Sequence, residues 1–69
     1  MNKKLKNQIL NFRNTVGFYL KNEYKPKYYT YFKDYPPSIR HIVESYYMGG
    51  NNVPDTARVV VEYVKKNLI

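Results

Sequence analysis

The 69-residue chain has no cysteine and no tryptophan, a single histidine, three glycines and only five acidic side chains. Without cysteine there is no disulfide staple and no thiolate metal site, and one histidine cannot build a His cluster. No metal and no cofactor is therefore expected. Catalysis finds little footing either. His41 is the only imidazole, the serines stand at 38 and 45, and the five acids Glu23, Asp34, Glu44, Asp55 and Glu62 are scattered. No nucleophile, base and orienting group can be drawn from that set by spacing, and no glycine-rich phosphate loop occurs. The expectation is a protein that is not an enzyme.

Long apolar runs are absent as well. Polar residues interrupt residues 5–20 throughout, so no stretch approaches the ~18 apolar residues of a membrane span, and a signal-peptide core is not seen. A cytoplasmic location with no membrane partner is the expectation. The length allows one small domain, whose core supplies only ~3–5 kcal/mol, so self-association or a protein partner is a natural source of further stability.

What is present is positive charge. Twelve Lys and Arg against five acids give a formal net charge of +7, and its placement is one-sided. Residues 1–33 hold Lys3, Lys4, Lys6, Arg13, Lys21, Lys25, Lys27 and Lys33 against Glu23 alone, whereas residues 34–69 are neutral. Lysine outnumbers arginine nine to three, with eight asparagines and nine tyrosines, a bias that AT-rich codons would also produce. Codon bias accounts for abundance but not for an acid-poor half. That asymmetry points to a phosphate-bearing partner, DNA before RNA.

Apolar periodicity gives the architecture. Leu5, Ile9, Phe12, Val16 and Tyr19 are spaced by four and three residues, which predicts an amphipathic helix over residues 3–22. Gly17 within it marks a close contact or a bend. Ile39, Ile42, Val43 and Tyr46 predict a second helix over 38–48, stopped by Gly49-Gly50. Ala57, Val60, Val61, Val64 and Leu68 predict a third over 54–67, although the β-branched run 58–64 is also compatible with a strand. Between the first two helices, residues 23–37 read as a tyrosine-rich extended connector, with a short strand, a hairpin or a helical turn as alternatives. The fold class expected is mainly α, a three-helix domain spanning 1–69.

The run from Ile42 to Arg58, with its glycine-bearing turn and polar helix start, resembles the helix–turn–helix of some phage and transposase DNA-binding domains. The resemblance covers about a quarter of the chain and implies a second helix presented to a DNA groove. Val59-Val60-Val61 stand where base-reading side chains would be wanted.

Two candidate surfaces follow. Tyr24-Lys25-Pro26-Lys27-Tyr28-Tyr29-Thr30-Tyr31-Phe32-Lys33 interleaves cations with rings, the pairing used to hold nucleic-acid strands. Lys3, Lys4, Lys6, Arg13, Lys21, Lys25, Lys27 and Lys33 are the candidate phosphate contacts, and Tyr28, Tyr29 and Tyr31 the candidate stacking rings. About half of the aromatic cluster is expected to be core instead. Tyr46, Tyr47, Val59 and Tyr63 are the candidate protein interface. The expected role is sequence-tolerant DNA binding in replication or gene control, in the setting of a phage or mobile element. A small adaptor or inhibitor that binds a protein such as a polymerase is the alternative.

Overall fold

The computed structural model describes residues 2–69, and its backbone is helical almost throughout. α1 spans Lys3–Glu23, α2 Pro26–Lys33, α3 Pro37–Met48 and α4 Val53–Asn67. The radius of gyration is 11.3 Å, matching the ~11 Å of a compact globule of this length. At ~1.5 Å per residue α1 is ~32 Å long, so it sets the 35 Å long axis of the molecule. It packs against all three other helices. No helix among the described residues is long and apolar enough to cross a membrane.

Each helix begins where its residue types dictate. The Asn2 side chain accepts a hydrogen bond from the Leu5 amide at 2.8 Å, and Asn52 does the same for Asp55 at 2.9 Å. Both are N-caps that satisfy otherwise orphaned donors. Pro26 and Pro37 occupy the first positions of α2 and α3, where a missing amide costs nothing. α3 ends in a Schellman arrangement, the Asn51 amide donating to the Tyr46 carbonyl and Gly50 to that of Tyr47. Gly50 takes φ +80°, a left-handed conformation that glycine adopts without a Cβ penalty.

The core is the expected stripes closed on one another, except that Leu68, expected on the α4 stripe, lies just past that helix and is 37% exposed. Val16 and Leu20 of α1, Ile39 and Val43 of α3, and Ala57, Val60, Val61 and Val64 of α4 are buried together with Tyr28 and Phe32. α4 contributes the largest share, so the β-branched 58–64 segment is helix, not strand. Thr56 is buried too, and its hydroxyl donates to the Asn52 carbonyl at 2.9 Å, which removes the cost of burying it.

One element differs from expectation. The tyrosine-rich connector is largely α2, making four helices, and neither a strand nor a hairpin forms among the described residues. With 58–64 helical, residues 26–33 have no strand to pair with and must satisfy their backbone internally. A helix does so and carries Tyr28 and Phe32, four residues apart, on one buried face. Gly17 makes the seat for that face. A Cβ there would lie 3.2 Å from the Phe32 ring and 3.3 Å from the Tyr29 ring. Gly17 therefore marks a close contact.

Gly50→Ala should lower stability by about 1 kcal/mol in urea unfolding, because open space surrounds the new methyl and only the backbone is strained. Phe32→Ala should cost about 3–5 kcal/mol by the same measurement, since it empties the seat on Gly17.

Candidate nucleic-acid interface

Two depressions run along one side of α1 and meet at Arg13. The first, about 250 Å³, lies between α1 and α2 and is lined by Arg13, Asn14, Gly17, Phe18, Lys21, Tyr29, Phe32 and Lys33. The second, about 260 Å³, lies between α1 and α3 and includes Lys6, Leu10, Arg13, Tyr35, Arg40 and Glu44. They share Arg13 alone among their lining residues and make a two-part groove along α1, which lines both parts. It carries five cations and a single carboxylate. From Lys6 to Lys21 it follows ~22 Å of helix.

Helical spacing explains the alignment. Asn14, Gly17 or Phe18, and Lys21 recur at three- and four-residue steps along α1, beside its buried stripe. α2 settles on Gly17 and brings Tyr29 and Lys33 to the opposite wall, while α3 contributes Arg40. The cations here have no carboxylate partners. Among the described residues the ion pairs are those of Arg58, with Asp55 and Glu62, each at 3.7 Å.

Aromatic rings hold two of the five instead. The Arg13 guanidinium carbon lies 4.3 Å from the Tyr35 ring centroid, and Lys21 Nζ lies 4.5 Å from that of Tyr29. Arg13 Nε is buried without a hydrogen-bond partner. Tyr35 adopts φ +49°, unusual for a bulky residue and costly by ~1–2 kcal/mol. That conformation turns its ring edge-on to Phe32, with centroids 5.8 Å apart, and under Arg13. Burial raises the Tyr35 phenol above its ordinary pKa and Glu44 adds to the rise, against the pull of Arg13 and Arg40. Tyr35 is accordingly a neutral ring at pH 7.

The expected contact residues divide. Lys6, Arg13, Lys21, Lys33 and Tyr29 converge on the groove. Lys3 and Lys4 are exposed in the first turn of α1. Lys25 lies in a separate shallow depression with Tyr24, Tyr28 and Lys65, and Lys27 Nζ sits 5.4 Å from the Tyr28 centroid. Tyr28 is only 6% exposed and belongs to the core, so its place among the stacking rings is corrected. Tyr31 is half-buried against the same core. About half of the cluster was expected to be core; Tyr28 and Phe32 are, while Tyr24, Tyr29, Tyr31 and Tyr35 are half-buried against it, so fewer rings are core than expected.

Phe18, Leu10 and Arg40 were outside the sequence reading. Phe18 is 69% exposed and Leu10 46%. Their signal is visible afterwards: both are apolar residues off the α1 stripe, Phe18 with Asn14 four residues before it and Lys21 three after. Arg40 gave no such signal, because α3 reaches the groove only through the tertiary fold.

The second candidate surface is not one patch. α3 and α4 are joined by a four-residue turn and run back along each other, so the start of α3 meets the end of α4. The Tyr63 hydroxyl donates to Ser38 Oγ at 2.7 Å, at the opposite end of α3 from Tyr46-Tyr47. Tyr47 packs on Phe12 of α1, centroids 5.1 Å apart, and Val59 is half-buried. The arrangement expected for Tyr46, Tyr47, Val59 and Tyr63 is corrected on this ground. The would-be recognition helix α4 is likewise a core helix, and its one central cation, Arg58, is flanked by two carboxylates. His41 lies on the exposed side of α3, its Nε2 3.4 Å from Ser45 Oγ.

Tyr28→Ala should destabilise the fold by about 3 kcal/mol or more, whereas Lys21→Ala should change stability by less than about 0.5 kcal/mol; paired thermal melts distinguish a core ring from a groove cation. No protein-family model, no curated protein and no solved structure matches the chain, so the groove itself is the basis for a functional reading.

Proposed function

We propose that the protein is a non-catalytic nucleic-acid-binding module that holds DNA along the α1 groove through phosphate contacts. The observation that carries this reading is the convergence of Lys6, Arg13, Lys21, Lys33 and Arg40 on one groove, none of them in an ion pair and only Glu44 among them. Phosphates are the ligands that such a line of cations favours. Three of the five groove cations are lysines, point charges without the bidentate fork that reads base edges, so phosphate contacts dominate and binding is largely sequence-tolerant.

The helix ends support the same reading. α1, α2 and α3 have no acid in their first turns, and α1 has Lys3 and Lys4 there. A cation at the positive end of a helix dipole costs ~0.3–1 kcal/mol. Lys3 and Lys4 are thus unfavourable for the helix itself and leave its first turn open to an external anion, while Lys21 and Lys33 stand in last turns, where the dipole favours them.

The test is a fluorescence anisotropy titration with labelled oligonucleotides across a salt series. If the five groove cations each displace a counterion, log K should fall with log salt at a slope of about −3.5 on a single strand or about −4.5 on a duplex. Lys21→Glu with Lys33→Glu should weaken binding at least tenfold and flatten that slope by about 1.4 to 1.8. Lys66→Glu, outside the groove, should leave the slope within about 0.7 of its original value. A slope near zero for the unmodified protein contradicts a phosphate-driven mechanism.

A further inference from the structure

We infer that the α1–α2 half of the groove is a seat for one unpaired base, which makes the preferred ligand a single strand of DNA over a duplex. The inference rests on the nucleic-acid reading above and adds what the phosphate contacts alone do not decide. Its starting point is Phe18, 69% exposed in a depression that also holds the cations Arg13, Lys21 and Lys33 and no carboxylate. A bare phenyl ring among lysines gains nothing from the outside of a duplex, where phosphates and sugars face it. An unpaired base offers a π face to the same ring while its phosphate meets the neighbouring charge.

The remaining lining fits that occupant. Tyr29 presents a second ring in the same depression, and Lys21 Nζ rests 4.5 Å from its centroid. A phosphate arriving between Lys21 and Lys33 draws the ammonium away from the ring and leaves the Tyr29 face open to the base. The cation and the ring thus exchange each other as partners for phosphate and base. The depression of about 250 Å³ is smaller than the ~300–1,000 Å³ of a drug-sized pocket, and suits one ring system. What the seat offers a base is chiefly ring faces, those of Phe18 and Tyr29, and every base has a π face to lay on them. Arg13 stands at the inner end, held on Tyr35 and directed to the point where the two depressions join. There it can carry the strand from the α1–α2 half to the α1–α3 half.

Because the chain has no tryptophan, Phe18→Trp places a single indole reporter at the seat. Phe18→Ala and Phe18→Trp should both fold, as the ring is largely outside the core. Each protein is titrated with an oligothymidylate of about 12 nucleotides and with a duplex of the same length. The expected result is oligothymidylate affinity at least tenfold above duplex affinity, a loss of about tenfold for Phe18→Ala on the single strand only, and quenching of the Phe18→Trp fluorescence by oligothymidylate. Equal affinity for both nucleic acids, with no effect of Phe18→Ala and no quenching, overturns the base seat while the phosphate-driven reading stands. Failure of the unmodified protein to bind either nucleic acid overturns both.

Discussion

The contact on which the rest of the molecule depends is the Phe32 ring seated on Gly17. Any side chain at position 17 would stand 3.2–3.3 Å from the Phe32 and Tyr29 rings, so glycine sets how close α2 lies to α1. That approach buries Phe32 and Tyr28 in a core that the other three helices alone would leave open on one side. It also places Tyr29 and Lys33 across from Asn14, Phe18 and Lys21. A packing contact and a candidate binding groove thus arise from the same absent methyl group.

Electrostatics runs against local stability at the start of α1, whereas Lys21, Lys33, Lys65 and Lys66 stand in last turns, where the helix dipole favours them. The cations of α1 begin at the wrong end of the helix dipole, and the two ion pairs of the described residues are both spent within α4. Arg13 and Lys21 rest on aromatic faces, a weaker accommodation than a carboxylate and a more easily exchanged one. The strained backbone of Tyr35 has the same sense: its ring position under Arg13 is maintained at the expense of the local conformation. On the nucleic-acid reading proposed above, these features share one rationale, a surface arranged around an external anion.

Much of the scaffold was legible from residue spacing. Leu5 through Tyr19, Ile39 through Tyr46 and Ala57 through Val64 repeat with helical period, and their ends are marked by Gly49-Gly50 and by prolines. α2 was not legible, because aromatic residues occupy 28, 29, 31 and 32 together and so obscure any period. Its helical state follows from the absence of a partner strand, which is a property of the other segments. The supposed joint surface of Tyr46, Tyr47, Val59 and Tyr63 failed for a related reason. Proximity in sequence pattern says nothing of which ends meet when α3 and α4 turn back on each other.

The amino-acid sequence by itself determined three of the helices, the inward stripes that close the core, and the confinement of net positive charge to residues 1–33. These are local properties, set by periodicity, capping and composition along the chain. Only the tertiary structure decided which tyrosines are core and which are surface, since Tyr28 and Tyr29 differ by one residue and one-quarter turn of α2. It alone brought Arg40 of the neutral half beside Lys6 and Arg13, and left Phe18 on the rim of a basic groove. The reason is physical: burial and the convergence of charge depend on how helices cross, and crossing is settled by contacts such as Gly17 with Phe32 that join residues far apart in the chain.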